Sequence, residues 1–554
     1  MSYPRRRVHD AVRHARTLLF AGAELKQNHL KFVKLTSVVT ERGQSGIVGV
    51  RDLSSNRSSP MTRFSQPSFL TGPPQPLVLT MDNQGRTPFD LYRLIATPSQ
   101  PSFLLDSGKG TDGENRYSFL GSSPFSMLTG RQGQASLRTS DGQVHSSNDP
   151  FGSLQRLFDG PKIEPPPGLP HFLGGAIGYF SYDLVRDFET LPVTAKNDLP
   201  IPYLQFGLYD LIASLDHRQD LLQLIFCPPM ERFTREPRKT LYREGLDRLA
   251  EWEGKLSGQP APLAELPSLD RMAFHPDQTR EAYLDRVRRC QVYIAAGDIY
   301  QANLSHRFTL QPPGSYSDAT DRQSYEQELY RRLQAVNPSP FSGLLHFDDV
   351  TLISSSPERL VRLHNRQADT RPIAGTRPRG CDDRDDQRLI GELLANEKER
   401  AEHLMLVDLE RNDLGRVCQF GSVQVDEFMA IEQYSHVSHI VSNVSGTLRP
   451  EATPFDLIRS LFPGGTITGV PKIRCMEIIE ELEPVRRGPY TGSFGYISWN
   501  GDLDLNIIIR TLVWCQGKGY LQVGAGIVAD SDPAKEYEET IQKAQAFVSA
   551  LQRR

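Results

Sequence analysis

The sequence predicts a soluble protein of mixed helix and strand, assembled from more than one substructure. Three observations lead there. At 554 residues the chain exceeds the size of one ordinary domain, because single hydrophobic cores stop growing at roughly 250–300 residues. Helix-periodic stretches and short alternating strands both recur along it, without an internal repeat. The hydrophobic share is 38%, and 63 basic residues face 67 acidic ones, an even balance that lacks the basic footprint of a nucleic-acid binder. No apolar run reaches bilayer-spanning length. Cys227, Cys290, Cys381, Cys418, Cys475 and Cys515 are scattered without a CxxC pair. That pattern argues against a metal cage or disulfide framework and suits the reducing cytoplasm.

Residues 1–75 carry twelve Lys or Arg against four Asp or Glu, a local charge of +8 against −12 for the remainder. Rich in Arg and Ser and without a patterned core, this leader reads as a disordered tail or as sequence ahead of the true start. Met61 and Met81 are the candidate starts, and a transit-like peptide is the other reading. Residues 76–253 form a first ordered region. In it, Phe89–Ala96 has helical periodicity, Ser102–Leu105 is a short apolar run, and Arg116–Gly121 reads as a strand. The Gly-rich Gly174–Asp183 lacks the spacing and lysine of a phosphate loop, so it is expected to be a bend or a close backbone contact. Residues 254–276, rich in Pro, Gly and Ser, are expected to be a linker. Residues 277–554 form the second region, opened by a helix over Thr279–Ala296 and a strand over Ile299–Phe308.

The chemistry-bearing residues concentrate in that second region. Asn396–Arg416 is expected to be a helix that stops near Gly415. Glu399 and Glu402, three apart, share one of its faces, either as pocket carboxylates or as a solvated charged surface. Glu358 follows Pro357 at the end of an apolar run, either as a general acid whose pKa burial raises or as an exposed turn residue. Gly375-Thr376 offers backbone N–H groups to an anion. His439 lies three residues after His436; alternation in a strand separates the two faces, so a lone pocket histidine is favoured over a metal pair. Phe462–Lys472 places glycines and threonines at the entrance of a helix over Lys472–Leu482. Asp504–Thr511 reads as one β-rich run with Arg510 as its anomalous cation. Tyr520–Val528 reads as the second strand of a hairpin, with Gly524 and Gly526 leaving room for a ligand. A helix starting at Pro533 aligns Glu536, Glu539 and Lys543. Together these residues supply carboxylates for Mg²⁺ and cations for a small dicarboxylate.

In their order, SSSPER, RPIAGTRPRG, AEHLMLVDLERNDLGRV, PGGTITGVPK and GAGIVADSDPAKEYEET resemble the chorismate-utilising enzymes, the family of anthranilate synthase and aminodeoxychorismate synthase large components. The resemblance runs from Pro76 to the C-terminus and is dense after Gly297. It implies an α/β (α+β) sandwich in which large antiparallel sheets are flanked by helices. It also implies Glu402 and Glu539 as Mg²⁺ ligands, with Glu399 and Glu536 acting through water, and Glu358 as the acid that protonates the departing C4 hydroxyl of chorismate. Arg510 and Tyr490 would grip the enolpyruvyl carboxylate beside Gly524, Ala525 and Gly526. Lys543, Thr466, Gly375, Thr376 and His439 fall on other substrate-site positions. Gln301 stands where water-adding relatives carry a lysine base, and its amide cannot act as a base, which favours amination. No glutaminase motif is present, so ammonia is expected from a separate glutamine amidotransferase subunit.

For the product, Leu104-Leu105-Asp106-Ser107-Gly108, Phe341-Ser342 and PGGTITG look like the aminodeoxychorismate enzyme. Ala374, in place of a lysine that many of those enzymes carry, looks like anthranilate synthase. Asp106 and Ser107 mark a possible regulatory amino-acid pocket. A catalytically silent, ligand-binding paralogue is the third reading.

Overall fold

In a computed structural model of the chain, the described residues are 67–108, 116–263, 273–312, 319–433 and 437–552, with short strands at 38–39, 45–46 and 62–63. One compact unit spans Pro60–Arg554, and everything below concerns that unit. The expectations for most of the leader, and for His436, lie outside the described residues.

Among the described residues, two large sheets form the centre, one of 12 strands and one of 13, both antiparallel throughout. They stack face to face. Phe119 of one sheet meets Tyr496 of the other at 5.6 Å between ring centroids, and Tyr179 meets Phe347 at 6.0 Å. The interior strands are buried on both faces, as in Gly175–Phe180, Leu204–Tyr209 and Val350–Ser356, which is why they read as continuous apolar runs rather than alternations. Gly175–Phe180, expected to be a bend, is a central strand; the close backbone packing read from its glycines is present between Leu204–Tyr209 and Ser493–Ser498. Helices cover the outer faces. Arg280–Ala295, Ala319–Val336 and Pro533–Gln552 lie on the larger sheet, and Glu397–Gly415 and Pro454–Leu461 lie on the smaller one.

The two expected regions do not separate. Each sheet draws strands from residues before 253 and after 277: Gly175–Phe180 pairs with Ser493–Ser498, and Ser102–Asp106 with Phe341–His346. The expected linker is partly ordered, because the Arg238–Leu256 helix runs into it and Ala273–Pro276 pairs with Gln301–Gln311. Order also begins ahead of residue 76. The Pro67–Thr71 helix buries Phe69 completely, against Phe233 and Tyr242. Met81 lies inside the Leu77–Asp82 strand, paired with Leu221–Phe226.

A further departure concerns Asp504–Thr511. Leu503–Asn506 belongs to the smaller sheet and Thr511–Cys515 to the larger. Residues 507–510 cross between them, and Arg510 takes φ +50°, a left-handed conformation uncommon for a residue other than glycine. A continuous apolar run cannot tell a strand from a crossover that is equally buried, and Ile507 and Ile508 are both buried.

Candidate active site

Helix Glu397–Gly415 brings the first carboxylates. Asn396 caps its N-terminus by accepting from the Glu399 N–H at 3.1 Å, and buried His403 ties it to Ser442 at 2.6 Å. Glu399 and Glu402 point toward the Ile373–Pro378 and Gln301–Gln311 strands respectively. Glu399 is paired with Arg377 at 2.6 Å, and Glu402 accepts from Gln301 Nε2 at 2.8 Å. Gly375 takes φ +71°, and a side chain there would collide with the Glu399 carboxylate, so only glycine permits both the backbone and the approach. Burial, then the charges of Glu399 and Glu539, raise the Glu402 carboxyl above its ordinary pKa, opposed by Gln301 and Lys398.

Helix Pro533–Gln552 contributes Glu536, Glu539 and Lys543. Burial and Glu539 raise the Glu536 carboxyl, while Ser531, Lys398 and Lys543 oppose the rise. Glu539 is 49% exposed and paired with Lys543 at 2.6 Å. Lys543 also donates to the Gly524 carbonyl at 2.9 Å. In the strand Lys518–Ile527, Gly524, Ala525 and Gly526 pair with Ser305, Leu304 and Asn303. A Cβ at Gly526 would meet Gln301 Nε2 at 2.7 Å, and one at Gly524 would meet the Tyr490 hydroxyl at 2.7 Å. The room left by these two glycines is thus shared with Gln301, Tyr490 and Asn303.

Glu358 lies on the smaller sheet's side of the same region. Its backbone carbonyl accepts from Ile507 N–H at 3.0 Å, which anchors it to the crossover that carries Arg510. The side chain is 5% exposed, so the exposed-turn alternative falls. Burial raises its pKa to about 7, with the Thr466 hydroxyl, the Ile373 backbone and the Arg510 guanidinium all pulling it down. Glu358 Oε1 and Thr466 Oγ1 are both buried without a hydrogen bond inside 3.5 Å, so the hydroxyl acts here as a nearby dipole rather than a formed partner. Thr376 and His439 are cross-strand neighbours whose side chains share a hydrogen bond of 2.9 Å. Burial, then Arg510, lowers the His439 pKa to about 4, so this imidazole is neutral at physiological pH.

A family profile described as chorismate binding enzyme matches residues 100–549. The chain belongs to this family. Anthranilate synthase component 1 of Thermus thermophilus is 44% identical over 466 residues, covering 84% of this chain and 95% of that protein. Aminodeoxychorismate synthase component 1 of Bacillus subtilis is 40% identical over 470 residues, covering 83% and 94%. Among solved structures, anthranilate synthase component I of Streptococcus pneumoniae superposes with a TM-score of 0.68 at 33% identity, covering 80% of this chain and 95% of that one. The menaquinone-specific isochorismate synthase of Escherichia coli, at 17% identity and a TM-score of 0.62, shares the fold.

For a chorismate-binding enzyme the metal question turns on the four carboxylates. Their donor set is oxygen only, which fits a hard dication, and Glu402 and Glu536 are both raised by burial first and by neighbouring carboxylates in smaller part. No three of the four acids bring ligand atoms within 4.8 Å of one another: among the described residues, the one such group of His, Cys, Asp or Glu is His171, His364 and Asp502. Mg²⁺ ordinarily takes one or two protein carboxylates and keeps waters or substrate oxygens, so an open arrangement suits it.

Sequence reasoning missed Arg377 and Lys398, which hold or face the same acids, and Asn303, which shares the space left by Gly524. Asn303 had a signal, since period-two alternation places it on the face of Gln301; its buried Oδ1 has no hydrogen-bond partner. Asp106 and Ser107 lie elsewhere. They line a cavity of about 440 Å³ with Arg116, Phe341, Ser342 and Tyr496. Asp106 accepts from Ser118 Oγ, the Gly108 N–H and the Tyr330 hydroxyl at 3.1–3.2 Å.

Proposed function

We propose that this chain aminates chorismate to 4-amino-4-deoxychorismate in a Mg²⁺-dependent reaction, with ammonia delivered by a glutamine amidotransferase subunit. The observation that carries the reading is the pairing of a buried acid near neutral pKa, Glu358, with a non-basic Gln301 beside Glu402. An acid that holds its proton near pH 7 suits a hydroxide leaving group, and an amide cannot activate water. Mg²⁺, held by Glu402 and Glu539 with Glu399 and Glu536 acting through water, would neutralise the ring carboxylate. Arg510 and Tyr490 would receive the enolpyruvyl carboxylate along the Gly524–Gly526 backbone, with Lys543, Gly375 and Thr466 around the ring. Neutral His439, oriented by Thr376, would offer a hydrogen bond without adding charge. Ammonia adds to the ring, the C4 hydroxyl leaves with the Glu358 proton as water, and the enolpyruvyl group stays in place. With Ala374 where a lysine nucleophile would stand, ammonia attacks directly.

Ala374 and the similarity to anthranilate synthases also favour a second reading, in which ammonia adds at C2 of the ring instead, the C4 hydroxyl again leaves as water, and the 2-amino intermediate eliminates pyruvate to give anthranilate. Incubation with chorismate, Mg²⁺ and ammonium salts, followed by mass separation, decides between them. A product that retains the enolpyruvyl group supports the first reading. Anthranilate fluorescence with stoichiometric pyruvate replaces it by the second. No turnover of chorismate by the folded chain, with ammonia or with the amidotransferase subunit, would remove both and leave a ligand-binding paralogue.

A further inference from the structure

The group His171, His364 and Asp502 plays no part in the amination chemistry, and it brings together three separate pieces of chain. His171 precedes the Gly175–Phe180 strand, His364 ends the Arg359–His364 strand, and Asp502 sits in the turn before Leu503–Asn506. The two imidazole rings lie 3.8 Å apart between centroids. His364 Nδ1 is 2.9 Å from Asp502 Oδ2, and one ligand atom from each of the three residues lies within 4.8 Å of the others. A tetrahedral zinc-class ion needs donor atoms about 3.3 Å apart at its bond lengths of 2.0–2.1 Å, so the set must contract by at most about 1.5 Å to hold one. The carboxylate is 5% exposed and is fixed from behind. Asp502 Oδ1 accepts from the Asn365 N–H at 3.1 Å, and Asn500 Nδ2 donates to Oδ2 at 3.0 Å and to the His171 carbonyl at 3.2 Å. Hydrogen bonds of this kind hold ligand carboxylates in place in metal sites.

We propose that His171, His364 and Asp502 form a binding site for one transition-metal dication of the zinc class, at the rim of the 440 Å³ cavity that His171 lines. Two imidazoles and one carboxylate match that class better than Mg²⁺, which takes oxygen donors. Three protein ligands leave a position open to water or to a ligand donor atom. Nearby charge is mixed. Asp504 favours a cation, while Arg362 and Lys162 oppose one, and the exposed Asn365 amide, now 2.8 Å from His364 Nε2, must swing aside if that nitrogen is the donor. Both effects limit affinity. The ion would also cross-link the three segments and so stabilise the folded chain by mass action.

The test is equilibrium dialysis of the full chain against Zn²⁺ in excess Mg²⁺, which keeps the carboxylate site from competing. The expected result is one Zn²⁺ per chain, unchanged by Glu402→Gln and weakened at least tenfold in the His171→Gln/His364→Gln double variant. Co²⁺ in place of Zn²⁺ should give a visible absorption band that the double variant lacks. If the double variant does not fold, His171→Gln alone decides, since that side chain is exposed and its loss should still weaken binding. Equal Zn²⁺ affinity in wild type and a folded variant, or no binding by the wild type, overturns the proposal.

Discussion

At the scale of single residues, Glu358 has the sharpest consequences. Its proton is held to about pH 7 in the folded chain against an ordinary value of 4.5, and burial is the main cause. Protonation therefore stabilises the fold: that contribution is complete below about pH 4.5 and is lost as pH rises through 7. Glu358→Gln removes the titration, so the variant should be the more stable protein at pH 8, by on the order of 3 kcal/mol in urea unfolding, and no more stable at pH 4. The same substitution should lower kcat by about 10²–10³ with little change in KM, because a general acid acts only in the transition state. Wild-type turnover with the amidotransferase subunit should fall above pH 7 as the acid form disappears. A Gln variant that is less stable at pH 8, or fully active, would remove Glu358 from the acid's role.

At the scale of elements, the site depends on where one helix and one strand end. The Glu397–Gly415 helix was legible from its propensities and its glycine stop, and the Gln301–Gln311 strand from its alternation. What local pattern left open was whether the Glu399 and Glu402 face meets solvent or other carboxylates, because tertiary contacts decide that. The crossover at residues 507–510 was illegible for the same reason: buried apolar residues look alike in a strand and between sheets. The Asn396 cap fixes the first helical turn, which carries Glu399. Asn396→Ala should cost about 1 kcal/mol of stability, and by loosening Glu399 should raise the Mg²⁺ concentration needed for half-maximal turnover. Gln301→Lys tests the strand. It would place an ammonium where the amide now reaches Glu402 at 2.8 Å, forming a buried ion pair that competes with a metal ion. The expected outcome is at least a tenfold higher Mg²⁺ requirement; an unchanged requirement would place the metal away from Glu402.

At the scale of the whole molecule, motif order in the sequence pointed to the family and its sandwich of antiparallel sheets flanked by helices, but not to which stretches of chain pair within each sheet. The regions before 253 and after 277 both give strands to each sheet, because sheet neighbours come from distant parts of the chain, a relation that composition does not record. The leader shows the same limit. Its basic composition hid a helix whose Phe69 is fully buried, just ahead of a strand in the ordered region whose Leu77 and Leu79 are 2% and 6% exposed. A chain begun at Met81 would lose Phe69, worth about 3–5 kcal/mol by itself. It would also lose four of the six residues that pair with Leu221–Phe226, which would leave that strand's backbone groups exposed as an edge prone to aggregation. Since typical net stability is only about 5–15 kcal/mol, the Met81 chain should be insoluble or unfolded. A chain begun at Met61 keeps the helix and the strand, and should melt cooperatively near the full-length temperature. Phe69→Ala in the full chain separates the two contributions, with an expected loss of about 3–5 kcal/mol and no change in KM for chorismate. A soluble, active chain begun at Met81 would show that the helix and strand are peripheral to the fold rather than part of its core.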